Sequence, residues 1–329
     1  MRRLALSALF ATACTVDEAP PASGGAGSST SGALSTSDTS GSSAHSSDGG
    51  RDDADAGGET APGSGDATTS DSGDVDPTGP VGTSTTRGDV DGGASESSTG
   101  APVDPFIVQF VGNSYTAGNS LGSMVESIAS EAGIAVEARV ISPGGETLEG
   151  HWSTPSTLGA ITDPEVDAVV LQGQSVEPWL GNASFVEHGG LLGNAACEAG
   201  AAVFFFETWA RQAGHEIYDI DPLVPDPDAM QAILRAAYEE AAAASCAAVA
   251  PVGDAWQRVW TTAPQISLYA GDGSHRTLPG SYLAACVFAE SVLGIDVNGA
   301  WAPADLNAAD IAPLQAAAHC IVAGDCPPA

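Results

Sequence analysis

Five short strand signals recur along the C-terminal part of this chain, at 106–111, 136–141, 168–171, 201–206 and 247–252. The third and fourth, AVVL and AAVFFF, are unbroken rather than alternating, the pattern of strands covered on both faces. Between them lie helix-length segments at 121–132, 183–199 and 228–245, and a further helix is expected at 278–293. Asp226 and Asp228 open the third of these, where a helix start favours negative charge. Strand and helix in strict alternation leave few architectures open. Parallel strands joined by right-handed crossovers, with helices on both faces, satisfy them all. The expected fold class is therefore α/β, a three-layer α/β/α sandwich on a central, mostly parallel five-stranded sheet.

That domain occupies residues 104–329, enough chain for one substantial core. Residues 1–13 read as a signal peptide of the lipoprotein type: Arg2 and Arg3, a short apolar stretch, then small residues up to Cys14. Ala11-Thr12-Ala13-Cys14 resembles a bacterial lipobox, with Ala11 where leucine is usual, and marks Cys14 as the lipidated residue. The alternative is an ordinary secretory peptide with an incidental cysteine. The apolar stretch is too short to span a bilayer as a helix. Residues 14–103 are Ser, Thr, Gly, Asp, Ala and Pro with almost nothing large and apolar. Such a segment cannot offset its own ordering entropy and is expected to be a disordered linker. As a flexible coil it would span about 50 Å, a suitable tether behind a lipid anchor. Its Ser, Thr and Pro content also permits O-glycosylation.

Charge removes several partner classes. The formal net charge is −33, from 42 acidic residues against 9 basic ones, none of them lysine. Nucleic acid and anionic membrane surfaces both require basic patches, so neither is expected as a partner. Membrane contact is expected only through a lipid anchor at Cys14. The chain reads as exported, either a cell-envelope lipoprotein or secreted. In that setting Cys197, Cys246, Cys286, Cys320 and Cys326 point to disulfides rather than metal ligands. Cys320 and Cys326 could close a small C-terminal loop, and Cys197 and Cys246 could link neighbouring helices. Cys286 is then the odd one out, although sequence does not determine the connectivity. His45, His188, His215 and His319 are scattered without metal-ligand spacing, so neither metal nor cofactor is expected.

The chemistry starts at FIVQFVGNSYT, residues 106–116, where a buried strand stops at Gly112-Asn113-Ser114 and a helix follows. Open α/β sheets bind ligands beyond the carboxyl ends of their strands, so a serine here can serve as a nucleophile. Its plain alternative is a helix cap. Asp272-Gly273-Ser274-His275 offers a base and, three residues earlier, a carboxylate to orient it. The alternative there is an Asp-capped helix start with an exposed histidine. Three donors are available for an oxyanion: the N–H of Ser114, the N–H of Gly145 in the Gly144-Gly145 pair, and the side-chain amide of Gln174.

Taken together these blocks resemble the SGNH (GDSL-like) serine hydrolases, whose motifs supply Ser, Gly, Asn and a DxxH pair in that order. Gly112-Asn113-Ser114-Tyr115-Thr116 is similar to the first block, with Asn113 where aspartate is usual. Gly144-Gly145-Glu146-Thr147 is similar to the second, and 272–275 to the last. The third departs, reading Gln172-Gly173-Gln174-Ser175 in place of GxND. A bacterial branch carries GNS(F/Y)T and LQxQS blocks, with GSYLAA after the DxxH, as at 280–285 here. The resemblance implies the flavodoxin-like SGNH fold and a Ser114, His275, Asp272 triad. It implies an oxyanion hole of Ser114, Gly145 and Gln174, with Gln172 the alternative to Gln174. His151, Trp152, Thr208 and Trp209 also match that branch, and are expected either to line a substrate pocket or simply to pack.

The expected function is an exported serine esterase that hydrolyses acyl esters, acetyl esters and carbohydrate esters included. Its partner would be an ester substrate, small or polysaccharide. The alternative is a non-catalytic carbohydrate-binding or surface-interaction protein on the same fold. A phosphodiesterase fits least, for want of metal-ligand clusters.

Overall fold

The computed structural model describes residues 104–328. The signal peptide at 1–13, lipidation at Cys14 and the linker at 14–103 lie outside the described residues. The sheet has five strands, all parallel, in the order β2-β1-β3-β4-β5. They are β1 Phe106–Val111, β2 Val136–Ile141, β3 Ala168–Leu171, β4 Ala202–Phe206 and β5 Ala248–Ala250. The three-layer sandwich expected from the alternation is thus present. The last strand stops short of its expected end at 252 because Pro251 has no N–H for a ladder, and a helix starts immediately after it.

Side chains on successive strand residues point to opposite faces, so each strand feeds two cores. Val108, Phe110, Phe204 and Phe206 enter one, beneath the helices Leu121–Glu131, Val252–Thr262 and Leu278–Leu293. Ile107, Val111, Val203 and Phe205 enter the other, beneath Asn182–Ala199 and Pro227–Ala243. Phe288 meets Phe110 and Phe206 edge-on, with ring centroids 5.4 and 4.8 Å apart. This is why 278–293 is apolar nearly all round: the helix is buried along its length rather than on one stripe.

Four helices of five residues or more went unread in the sequence: Leu148–Trp152, Pro155–Ile161, Val252–Thr262 and Ala308–Ala323. The third carried a legible signal, since Val252, Ala255, Trp256 and Val259 recur at helical spacing and all are buried. In the fourth, Pro313 inside the helix hid the pattern.

Cys197 pairs with Cys246 and Cys320 with Cys326, while Cys286 is free and buried. The first bridge ties the end of Asn182–Ala199 to the segment entering β5 across 49 residues of sequence. Replacing both its cysteines by alanine is expected to lower stability by about 2–4 kcal/mol, seen as a fall in melting temperature of roughly 5–15 °C. A scan in which the double variant melts with the wild type would show that the bridge constrains nothing.

Candidate active site

β1 lies between β2 and β3, so the chain leaves it in opposite directions and a crevice opens at its carboxyl end. Gly112 occupies that end, and a side chain there would run into Thr116 Oγ1 and Gln172 Oε1. Asn113 then caps the helical turn Ser114–Ala117, accepting from Tyr115 N at 3.1 Å and donating to Glu146 O at 2.9 Å. Ser114 is therefore the first helical residue, its N–H among those a helix start leaves unpaired. The Asn113 observation also explains the sequence departure in the first block: its amide both accepts and donates, which an aspartate could not do.

The structure brings Ser114, His275 and Asp272 into one line. Ser114 Oγ lies 2.9 Å from His275 Nε2, and His275 Nδ1 lies 2.6 Å from Asp272 Oδ2. A carboxylate only accepts, so Nδ1 carries the proton and Nε2 is left to accept from the serine hydroxyl. Asp272 Oδ1 accepts from Ser274 N at 3.0 Å and His275 N at 2.9 Å. The His275 hydrogen bond, seconded by these two amides, holds the Asp272 carboxyl down at about 2. The side chains of His275 and Asp272 are 47% and 49% exposed, so the cluster faces solvent. Such an arrangement can take a proton from a hydroxyl and return it to a leaving group.

The oxyanion candidates separate cleanly. Gln172 is fully buried, accepting from Asn113 N at 3.0 Å and Thr116 Oγ1 at 2.8 Å and donating Nε2 to Asn113 Oδ1 at 3.0 Å. It is committed to bracing the first block and is not free to meet a ligand. Gln174 differs: its Oε1 accepts from Val176 N at 2.7 Å and Glu177 N at 3.1 Å, which fixes the amide and directs Nε2 elsewhere. Gly145 adopts φ +70°, a conformation that favours glycine, and is exposed in a turn beside the crevice.

Three expected pocket residues do not line a pocket. His151 is 1% exposed, its Nε2–H donating to Gly112 O at 2.8 Å; burial first of all lowers its pKa and keeps it neutral. Thr208 and Trp209 are completely buried. Trp209 stacks on Tyr115 at 4.6 Å between centroids and donates Nε1–H to Ser274 O at 2.9 Å. These residues shape the walls from behind, because an open sheet edge needs large side chains packed beneath its loops. Trp152 alone keeps partial exposure.

Tyr115, Ser175 and Arg211 escaped the sequence reading. The Tyr115 hydroxyl bonds Ser274 O at 2.9 Å and Ser274 Oγ at 2.7 Å, and receives Arg211 Nη1; Arg211 Nη2 reaches Ser175 Oγ at 2.8 Å. One buried network thus ties the first, third and last blocks together. The available signal was Arg211 itself, a basic residue five positions past the end of an apolar strand in an acid-rich chain.

Glu207, at the end of β4, is buried beside Gln231, whose Nε2 donates to Oε1 at 2.6 Å, and Arg235, 3.8 Å away. Burial raises its pKa to about 8, against the opposing pull of Arg235. Its folded form therefore keeps a proton that the unfolded chain releases near 4.5, so stability falls as pH rises from about 4.5 to 8. Glu207→Gln is expected to flatten that part of the melting-temperature profile and to raise the value at pH 8. A variant whose profile still tracks the wild type would assign the slope to other groups.

Fold and site together define a class: an SGNH-hydrolase-like α/β/α domain with a Ser-His-Asp cluster at the carboxyl edge of its sheet. No family model matches the chain, and no curated protein matches it. Among solved structures it is similar to a protein of Slackia heliotrinireducens described as a candidate SGNH hydrolase, at 29% identity and a TM-score of 0.51, over 57% of this chain and 99% of that one. It is also similar in fold to a DUF4886 family protein of Bacteroides uniformis, at 20% identity and a TM-score of 0.58, over 68% of this chain and 98% of that one. The resemblance read from the sequence blocks is thus accompanied by a likeness in fold to these structures.

Proposed function

We propose that this protein is an exported serine hydrolase that cleaves carboxylic esters. The observation that carries the reading is the unbroken relay from Ser114 Oγ through His275 to Asp272, at 2.9 and 2.6 Å. In the first step Ser114 Oγ bonds to the acyl carbon while its proton passes to His275 Nε2. Asp272 orients the ring and stabilises the imidazolium. The N–H groups of Ser114 and Gly145 and the amide of Gln174 hold the oxyanion; each such donor is worth about 2.7–4 kcal/mol of barrier in comparable sites. Collapse breaks the ester C–O bond, and the imidazolium gives its proton to the departing alcohol. Water, activated by the same imidazole, then releases the acid and restores Ser114.

Family resemblance makes acetyl and other short acyl esters, on carbohydrate or on small alcohols, the substrate class. A solvent-facing triad suits an ester projecting from a larger molecule. Export with a lipid anchor at Cys14 rests on the sequence of 1–14, and two disulfides fit an oxidising compartment. A fluorophosphonate probe tests the central claim. A single adduct on Ser114 in peptide mapping is the expected result; labelling confined to another residue, or none, would remove the assignment.

A further inference from the structure

The described domain holds five arginines, Arg139, Arg211, Arg235, Arg258 and Arg276. Arg139 and Arg235 bond carboxylates. Arg276, directly after the triad histidine, is buried at 6% exposure, and its hydrogen bonds go to neutral groups. Nε donates to Ser281 Oγ at 2.7 Å, and Nη2 donates to Thr116 O at 3.2 Å and Gly118 O at 2.6 Å. Nη1 is buried with no partner. Desolvation lowers the guanidinium to about 10, which still leaves it charged at neutral pH.

For stability alone this is a poor use of a charge. A buried cation without an anion, and with one donor unsatisfied, is commonly improved on by an apolar side chain. What the charge does achieve is mechanical. Thr116 and Gly118 belong to the turn that Ser114 begins, while Arg276 belongs to the loop that carries His275. The side chain bolts one to the other. Asn119 doubles the link from the opposite direction, donating Nδ2 to Ser281 Oγ at 2.8 Å and to Arg276 O at 3.4 Å. To do so, Asn119 and Ser120 both adopt left-handed backbone, with φ of 51° and 53°, an unfavourable choice for consecutive non-glycine residues.

We propose that Arg276, seconded by Asn119, is a positioning residue that sets the spacing between Ser114 Oγ and His275 Nε2. This rests on the esterase reading given above. Nucleophile and base come from segments some 160 residues apart, so the spacing has to be imposed by contacts between them. Misplacement by about 1 Å can cost on the order of 100-fold in rate.

The test is steady-state hydrolysis of p-nitrophenyl acetate by Arg276→Met, with its melting curve measured alongside. The expected result is a kcat lowered about 10- to 100-fold, KM within about twofold, and a melting temperature equal to or above wild type. Arg276→Lys, which keeps the charge but not the fork, should recover part of the lost kcat. A purely structural arginine would lose stability and activity together, and a folded Arg276→Met with wild-type kcat would overturn the proposal. Should Arg276→Met fail to fold, Asn119→Ala decides by the same two readouts. A crystal structure separates this proposal from the esterase reading. In the Arg276→Met protein the Ser114–His275 contact should open beyond hydrogen-bond reach, about 3.5 Å, whatever reaction the site performs. A contact unchanged in length refutes the clasp, whereas full turnover by Ser114→Ala refutes only the esterase.

Discussion

Ser114→Ala is expected to reduce kcat for p-nitrophenyl acetate by about 10^5- to 10^6-fold while leaving the fold intact. The loss is large because the serine supplies the bonding atom, and no neighbouring group can take over its geometry. Stability should hardly move: the side chain is partly exposed, and its Oγ bonds only His275 among the described residues. The backbone N–H of residue 114 survives the substitution, so an oxyanion site would persist. Slow residual hydrolysis, on the order of 10^3-fold over water, is then the expected floor. Turnover within tenfold of wild type, with the fluorophosphonate adduct gone, would assign the observed hydrolysis to another nucleophile.

Asp272→Asn should cost about 10^4-fold in kcat. Its oxygen can continue to accept from Ser274 N and His275 N, so the loop should keep its shape. The replaced atom is the one 2.6 Å from His275 Nδ1. An amide NH2 there donates, forcing Nδ1 to accept and moving the ring proton to Nε2, where it faces Ser114 instead of receiving from it. The pH dependence follows with a definite sign. The wild-type carboxyl is held at about 2, below its usual 3.8. Its stabilising contribution is therefore complete above about 3.8 and is lost as pH falls through 2. With both partners near half exposed, that contribution to stability is small. Acid inactivation of the wild type between pH 4 and 6 should thus not report Asp272. Activity of the asparagine variant within tenfold of wild type at neutral pH would show that the carboxylate does not set the tautomer.

Much of this was legible because it is local. β1, β2 and β3 fall where their strand signals fall: β3 is buried along its length and unbroken, as a strand covered on both faces must be, while the edge strand β2 alternates and carries Glu137 and Arg139. Ser114 and the 272–275 loop were found by residue type and by position at strand ends. Other features carry no local mark. Gln172 and Gln174 are chemically the same and two residues apart, yet one is braced in the interior by hydrogen bonds to Asn113 and Thr116 and the other caps a turn. Thr208 and Trp209 occupy a strand end as a ligand-binding pair would, but their loop folds inward and buries them. Arg276 has no local mark of burial, because its acceptors, Thr116 and Gly118, come from the other end of the domain's sequence.

By itself the sequence determined the class of fold and the edge of the sheet where chemistry could occur, because both follow from periodicity and from where apolar runs end. Only the tertiary structure decided which polar side chains face the crevice and which support it from beneath. That choice depends on burial and on partners distant in sequence, neither of which a run of neighbouring residues can express.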